Sequence, residues 1–397
     1  MATRRSLLST GATLTLLAPF ARGAAAAPST DARLVLVILR GGLDGLAAVP
    51  PYAEPQYRSL RGPLALGAPG TEGGALDLDG TFGLHPALTH LHAWYRAGEA
   101  LVLHAAATPY RERSHFDAQK VLESGGDTPS ASTAGWLNRA LTALETHGRA
   151  RAAVALADSV PLVLRGEFAV TSWAPSCLPD ADDDTLARVR RLYEATDPEL
   201  AAGLAAALDA RELVGDAGDA RMGGRGGQTV APLAAAAGRF LRSPEGPRVA
   251  VLDIGGWDTH ANQGAAQGPL AQRLGALDSG LQQFKAELGE HWRDTSVLVV
   301  TEFGRTAAAN GTRGTDHGTA GCAFLMGGAV AGGRVVADWP GLTARDLHEG
   351  RDLRATTDLR ALFKAVLHEQ FGLAESALAR EVFPASDAVV PLDGVTA

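Results

Sequence analysis

A chain of 397 residues, 46% hydrophobic and with mean hydropathy near zero, carries enough apolar material for one large core or two smaller ones, as a globular protein does. A formal net charge of −8 excludes a nucleic-acid binder, which needs a basic surface to meet phosphates. Two cysteines, Cys177 and Cys322, allow one disulfide at most and exclude a disulfide framework or a cysteine-rich zinc site.

The chain opens with "TRRSLLSTGATLTLLAPFARGAAAAP". Paired Arg4 and Arg5, a mildly apolar stretch from Leu7 to Phe20 and a run of small residues read as a twin-arginine export signal over residues 1–26, cleaved after Ala26. The apolar stretch is shorter than the roughly 20 residues a spanning helix needs, and nothing later reads as transmembrane. The expectation is a periplasmic or secreted protein that meets the twin-arginine translocation machinery and has no stable membrane anchor. Proteins exported folded by this route often carry a loaded cofactor, which suits a metal site.

The mature chain alternates apolar runs with helical patterns. In order come a strand at Leu34–Leu39, a helix at Pro86–Arg96, a strand at Ala100–Ala105, and helices at His115–Glu123 and Ala134–Glu145. Asp182–Glu212 has helical spacing and Gly215–Gln228 is a glycine-rich exposed loop. A strand at Arg248–Ile254, a helix at Pro269–Glu290 and a strand at Ser296–Thr301 follow. Near-continuous apolar strands alternating with helices predict an α/β sandwich with a mostly parallel sheet, in one domain over 27–397 with a helical insertion around 180–230. No P-loop occurs, and "RGGLDG" lacks the spacing of a dinucleotide fingerprint, so no nucleotide cofactor is expected.

Ligands of such sheets bind beyond the carboxyl ends of the strands. The first strand runs into Asp44, the second toward Ser114, His115 and Asp117, the third into Asp258 and His260 of "GGWDTHANQ", and the fourth into Glu302, followed by Asp316 and His317. Each has an ordinary reading: a lone His near a strand end is commonly a hydrogen-bonded structural residue, and an Asp after a glycine pair a turn residue. Together, carboxylates with a few imidazoles suit one or two divalent cations, zinc or manganese, which would hold an anionic ester. Arg111, Arg113 and Arg305 are weaker candidates for anion binding, against the ordinary reading of exposed loop arginines. His85 precedes Pro86 as a cap, turn or site residue. Trp257 is read as packing, and Asn262 and Gln263 as side chains that orient metal ligands.

"LRGGLDG", "FGLHPAL", "RSHFDAQ", "GWLNRAL", "GGWDTHANQ", "TEFGRT" and "GTDHGTAG" occur in this order along nearly the whole mature chain. They resemble the motifs of the twin-arginine-exported family called domain of unknown function 1501, grouped with the alkaline phosphatase and sulfatase superfamily. The resemblance implies a three-layer α/β/α sandwich of alkaline phosphatase-like fold. It also implies a metal-binding aspartate at Asp44, a nucleophile at Ser114 whose hydroxyl is activated by coordinating a metal, with His115 assisting or binding, and metal ligands at Asp258 and His260. At the strand end, "TEFG" departs from the superfamily's Asp-His pair: Glu302 stands for the Asp, Phe303 cannot stand for the His, and Asp316 with His317 takes the place of the pair or of the later lone His. The sulfatase motif "C/S-x-P-x-R" is absent, since "SWAPSCLPD" around Cys177 does not match it.

The function expected is thus an exported metal-dependent hydrolase of a phosphate or sulfate ester, acting on a small anionic or sugar-derived substrate. The alternative is an inactive metal- or carbohydrate-binding envelope protein of the same fold.

Overall fold

A computed structural model describes residues 31–144, 153–175, 181–214 and 230–397. The export signal, Cys177 and the Gly215–Gln228 loop lie outside the described residues. Among those described, no helix is long and apolar enough to cross a membrane.

The strands are β1 (Arg33–Leu39), β2 (Leu76–Asp77), β3 (Gly83–Leu84), β4 (Ala100–Ala107), β5 (Ala153–Leu156), β6 (Thr171–Trp173), β7 (Val249–Ile254), β8 (Thr295–Thr301), β9 (Gly321–Met326), β10 (Val335–Val336) and β11 (Thr357–Asp358). One sheet runs in the order β10-β4-β9-β8-β1-β7-β5-β6, with β11 also on β4 and the β2–β3 pair apart. Its pairings are parallel except at β9, which is antiparallel to both β4 and β8.

Every residue of β1 is buried because both faces of the sheet are covered. Val35, Val37 and Leu39 face a core shared with the helices Thr89–Arg96, Val230–Arg242 and Pro269–Leu288. Leu34, Leu36 and Ile38 face the opposite core, closed by Trp136–Ala143 and Leu359–Glu369. The result is the expected three-layer α/β/α sandwich with a mostly parallel sheet. Each buried aliphatic or aromatic side chain contributes roughly 1.5–3 kcal/mol, and this leaves the loops free to carry polar groups.

The differences from the sequence pattern have local causes. The first long helix begins at Thr89, because Ala87 N–H donates to His85 Nδ1 and sets a turn ahead of it. The Asp182–Glu212 region is two helices, Asp183–Thr196 and Pro198–Val214. Asp197 is extended (φ −154°), as the residue before a proline prefers, and its Oδ1 accepts from Glu199 and Leu200 N–H at 3.1 Å, starting the second helix. Strand β9 has no counterpart in the sequence reading. Its antiparallel direction matters for function, because it starts at the edge of the sheet where its two neighbours, β4 and β8, end.

Candidate metal centre

Five neighbouring strands deliver polar groups to that edge. His115 opens the helix after β4, His317 precedes β9, Glu302 follows β8, Gly41 follows β1, and Asp258 and His260 follow β7. His115 Nε2 and His260 Nε2 each lie 3.0 Å from His317 Nε2. Asp258 Oδ1 lies 3.0 Å from His260 Nε2 and 3.3 Å from His317 Nε2, and its Oδ2 lies 3.5 Å from His115 Nε2. His115, Asp258 and His317 form a group that could hold a metal ion, and His260 adds a fourth donor.

The far nitrogen of each ring is tied to an acceptor. His115 Nδ1 meets Glu302 Oε1 at 2.8 Å, His260 Nδ1 meets Asp316 Oδ1 at 3.2 Å, and His317 Nδ1 meets the Arg113 carbonyl at 3.0 Å. Ionised carboxylates and a carbonyl only accept, so each Nδ1 carries a hydrogen, and a ring whose only N–H is that one turns an Nε2 lone pair toward the shared point. Lone pairs 3.0 Å apart repel unless a proton or a cation lies among them. Donors bound at about 2.0–2.1 Å to a tetrahedral zinc are themselves about 3.4 Å apart, so the donor set and its spacing fit a divalent ion.

Supporting bonds fix the donors. Glu302, buried, also accepts from Gly41 N–H (2.8 Å), Gln119 Nε2 (3.1 Å) and Thr301 Oγ1 (3.0 Å). Burial pushes its pKa up, but bonds from His115, its own backbone amide, Gln119 and Gly41 outweigh this and hold it below the usual carboxylate range. The Glu302 hydrogen bond raises the pKa of His115 against the effect of burial, whereas burial and the charge of His115 lower that of His317. Asp258 is pulled up by burial but kept low by Arg305, His260 and His115. Arg305 Nη1 donates to Asp258 Oδ1 at 2.6 Å and to Gly41 O, while Nε and Nη2 donate to Thr315. Gly41 has φ +121°, and a Cβ there would come within 2.5 Å of Asp258 N, so only glycine lets the β1 loop pass under the Asp258 loop.

The structure engages other candidates elsewhere. The Asp44 carboxylate bonds Arg61 Nη2, Gln263 Nε2 (2.6 Å) and Ala47 N–H (3.2 Å), and Arg61 and Asp44 are both fully buried. It is the N-cap of the short Gly45–Ala48 helix and the counter-ion of a buried arginine. Arg305 is buried, not a solvent-exposed loop arginine. Arg111 Nη1 donates to the Thr108 and Tyr110 carbonyls, and burial lowers its pKa. Arg113 pairs with Asp352 (2.8 Å) and Glu349 (2.6 Å). His85 Nε2 donates to Ala265 O at 2.9 Å, a structural role. Trp257 is buried packing, and Gln263 bridges Thr259, Thr315 and Asp44. Asn262 sits at φ +47°.

Ser114 is the N-cap of the His115–Ser124 helix (φ −92°, ψ 122°), yet its side chain makes no cap hydrogen bond. Two contributors were not singled out from sequence, Gln119 on Glu302 and Asn310 Nδ2 on Asp316 (3.1 Å); Phe303, read there only as unable to stand for a His, packs its ring 4.7 Å from His115 and 5.1 Å from His317. Gln119 lies one helical turn after His115, a spacing that puts both on one face.

The family model described as protein of unknown function DUF1501 matches residues 31–383. No curated protein matches the chain. Among solved structures, it is similar to the lipoteichoic acid synthase LtaP from Listeria monocytogenes, with 8% identity over 89% of this chain and 76% of that one and a TM-score of 0.41. It is also similar to the PsFucS1 sulfatase from Pseudoalteromonas sp., with 14% identity over 91% and 71% and a TM-score of 0.39. A third is the phosphonate monoester hydrolase of Agrobacterium radiobacter, with 11% identity over 86% and 74% and a TM-score of 0.35.

Proposed function

This chain belongs to the DUF1501 family of proteins of unknown function, and from that premise we propose that it is a metal-dependent hydrolase of phosphate or sulfate esters. The observation that carries the reading is the convergence of three imidazole Nε2 atoms and the Asp258 carboxylate at 3.0–3.5 Å, each ring fixed through Nδ1. His115, Asp258, His260 and His317 hold one divalent ion, and three nitrogens with one oxygen favour zinc over manganese. Glu302 and Asp316 orient ligands rather than bind. Asp44, neutralised by Arg61, leaves a second ion without a donor.

A cation bound there supplies Lewis-acid polarisation of the ester. Ser114 is the nucleophile: its Oγ forms a bond to phosphorus or sulfur, the ester oxygen leaves as the alcohol and takes the proton Ser114 loses, and water then releases the anion and restores the hydroxyl. With both nitrogens of His115 committed, His115 serves as a ligand and not as a general base. The Arg4–Arg5 pattern supports a reaction outside the cytoplasm, after twin-arginine export.

The test is metal content by mass spectrometry. The wild-type chain is expected to hold about one ion and the Asp258→Asn, His260→Ala double variant none; no metal in the wild type overturns the reading.

A further inference from the structure

Beside the metal centre, beyond the carboxyl ends of β1, β7 and β5, lies a cavity of about 490 Å³, a size that suits a small ligand. The two sites share a wall. Gln119 lines the cavity and donates to Glu302, which holds His115. Arg40, also lining it, is the residue next to Gly41.

The polar lining is prearranged. Arg40 is clamped by Glu123 at 2.6 Å and Asp253 at 2.7 Å, and Glu123 is further fixed by Val163 N–H at 3.1 Å. These groups are held in the folded protein whether or not a ligand is present, so binding does not have to order them. On the opposite rim, the Asp158 and Ser159 side chains are exposed and bond nothing among the described residues. The lining carries three carboxylates, Glu123, Asp158 and Asp253, against two guanidinium groups, Arg40 and Arg165. That surplus of negative charge disfavours an anion. An apolar occupant would strip water from paired charges without replacing its hydrogen bonds. Hydroxyl groups both donate and accept, and so can meet the spare carboxylate lone pairs and the Gln119 amide together.

We propose that this cavity binds the uncharged, hydroxyl-rich part of the substrate, a sugar ring or polyol, while the ester group sits at the metal centre; the assignment of that neighbouring role rests on the hydrolase reading above. The two sites thereby divide the substrate by charge.

The experiment is saturation-transfer NMR on the full chain with a panel of neutral methyl glycosides and inositol, alongside Ser159→Trp, Asp158→Ala and His260→Ala variants. At least one neutral compound is expected to bind the wild type and His260→Ala equally, roughly tenfold more weakly to Asp158→Ala, and not to Ser159→Trp of native circular dichroism. Should Ser159→Trp misfold, the Asp158→Ala affinity decides. No binding by any neutral member, or unchanged affinity in the Asp158→Ala variant, overturns the proposal. Glycoside binding by a chain that hydrolyses no phosphate or sulfate ester leaves the cavity assignment standing and sinks the hydrolase reading. Hydrolysis without glycoside binding does the reverse.

Discussion

Glu302 Oε1 and His115 Nδ1 lie 2.8 Å apart, and the same oxygen accepts the Gly41 N–H at 2.8 Å, so one buried carboxylate aims an imidazole and ties it to the first strand's loop. Carboxylates behind metal-facing histidines tune affinity without touching the ion. Glu302→Gln is expected to weaken metal binding by about 10–100-fold, measured by competition with a fluorescent chelator. An unchanged affinity would show that His115 is not a ligand.

Ser114→Ala separates metal binding from turnover. The hydroxyl makes no cap bond in the structure, so its removal should cost little stability. The variant should keep its full metal content and lose ester hydrolysis, read with nitrophenyl phosphate and sulfate. Full activity in the variant would remove Ser114 as nucleophile.

Asp44→Ala should destabilise the fold and spare the metal. It leaves the Arg61 guanidinium buried with no carboxylate partner, a loss of about 3–5 kcal/mol, while Asp44→Ala, Arg61→Met should recover a large part of it. Urea unfolding and metal analysis on the same samples check this; loss of metal in a stably folded Asp44→Ala would return Asp44 to the ligand set.

Stability should fall as pH drops from 6.5 toward 4. Burial depresses His104 to about 4, against bonds to backbone carbonyls that act the other way. Its Nδ1 accepts from Ala105 N–H at 2.8 Å and its Nε2–H donates to Val49 O at 2.9 Å. In that window the unfolded chain binds a proton that the native one refuses, so the folded state is progressively disfavoured, by about 3 kcal/mol in all. The urea midpoint of His104→Gln, compared with wild type at pH 7 and pH 4.5, should show a shallower fall. Parallel slopes would refute the assignment.

The sheet was legible because β1, β4, β7 and β8 are apolar runs buried on both faces, a pattern that period and composition express directly. Strand β9 was not: "GCAFLM" is a short apolar run without β-branched residues, and nothing in it marks an antiparallel direction. That direction is why His317, which reads in sequence as trailing Thr301, meets the other donors at the front of the next strand. The polar residues behind each strand could be named, but their partners could not. Asp44 and Asp258 both follow glycine-rich turns, yet one faces Arg61 and the other three histidines. Pairings across the fold, such as His115 with Glu302, depend on packing that local sequence does not encode.

His115 and His317 stand 202 residues apart in the chain, and His260 and His317 57 apart. An unfolded polypeptide therefore offers an ion little beyond the Asp258–His260 neighbours, and the complete donor set exists only once the sheet is in register. An ion that recognises this set binds the finished protein and not its precursors, adding by mass action about 2.7 kcal/mol when free metal is a hundred times the dissociation constant. Occupancy would then act as a certificate of assembly, issued only to chains whose five central strands have found one another.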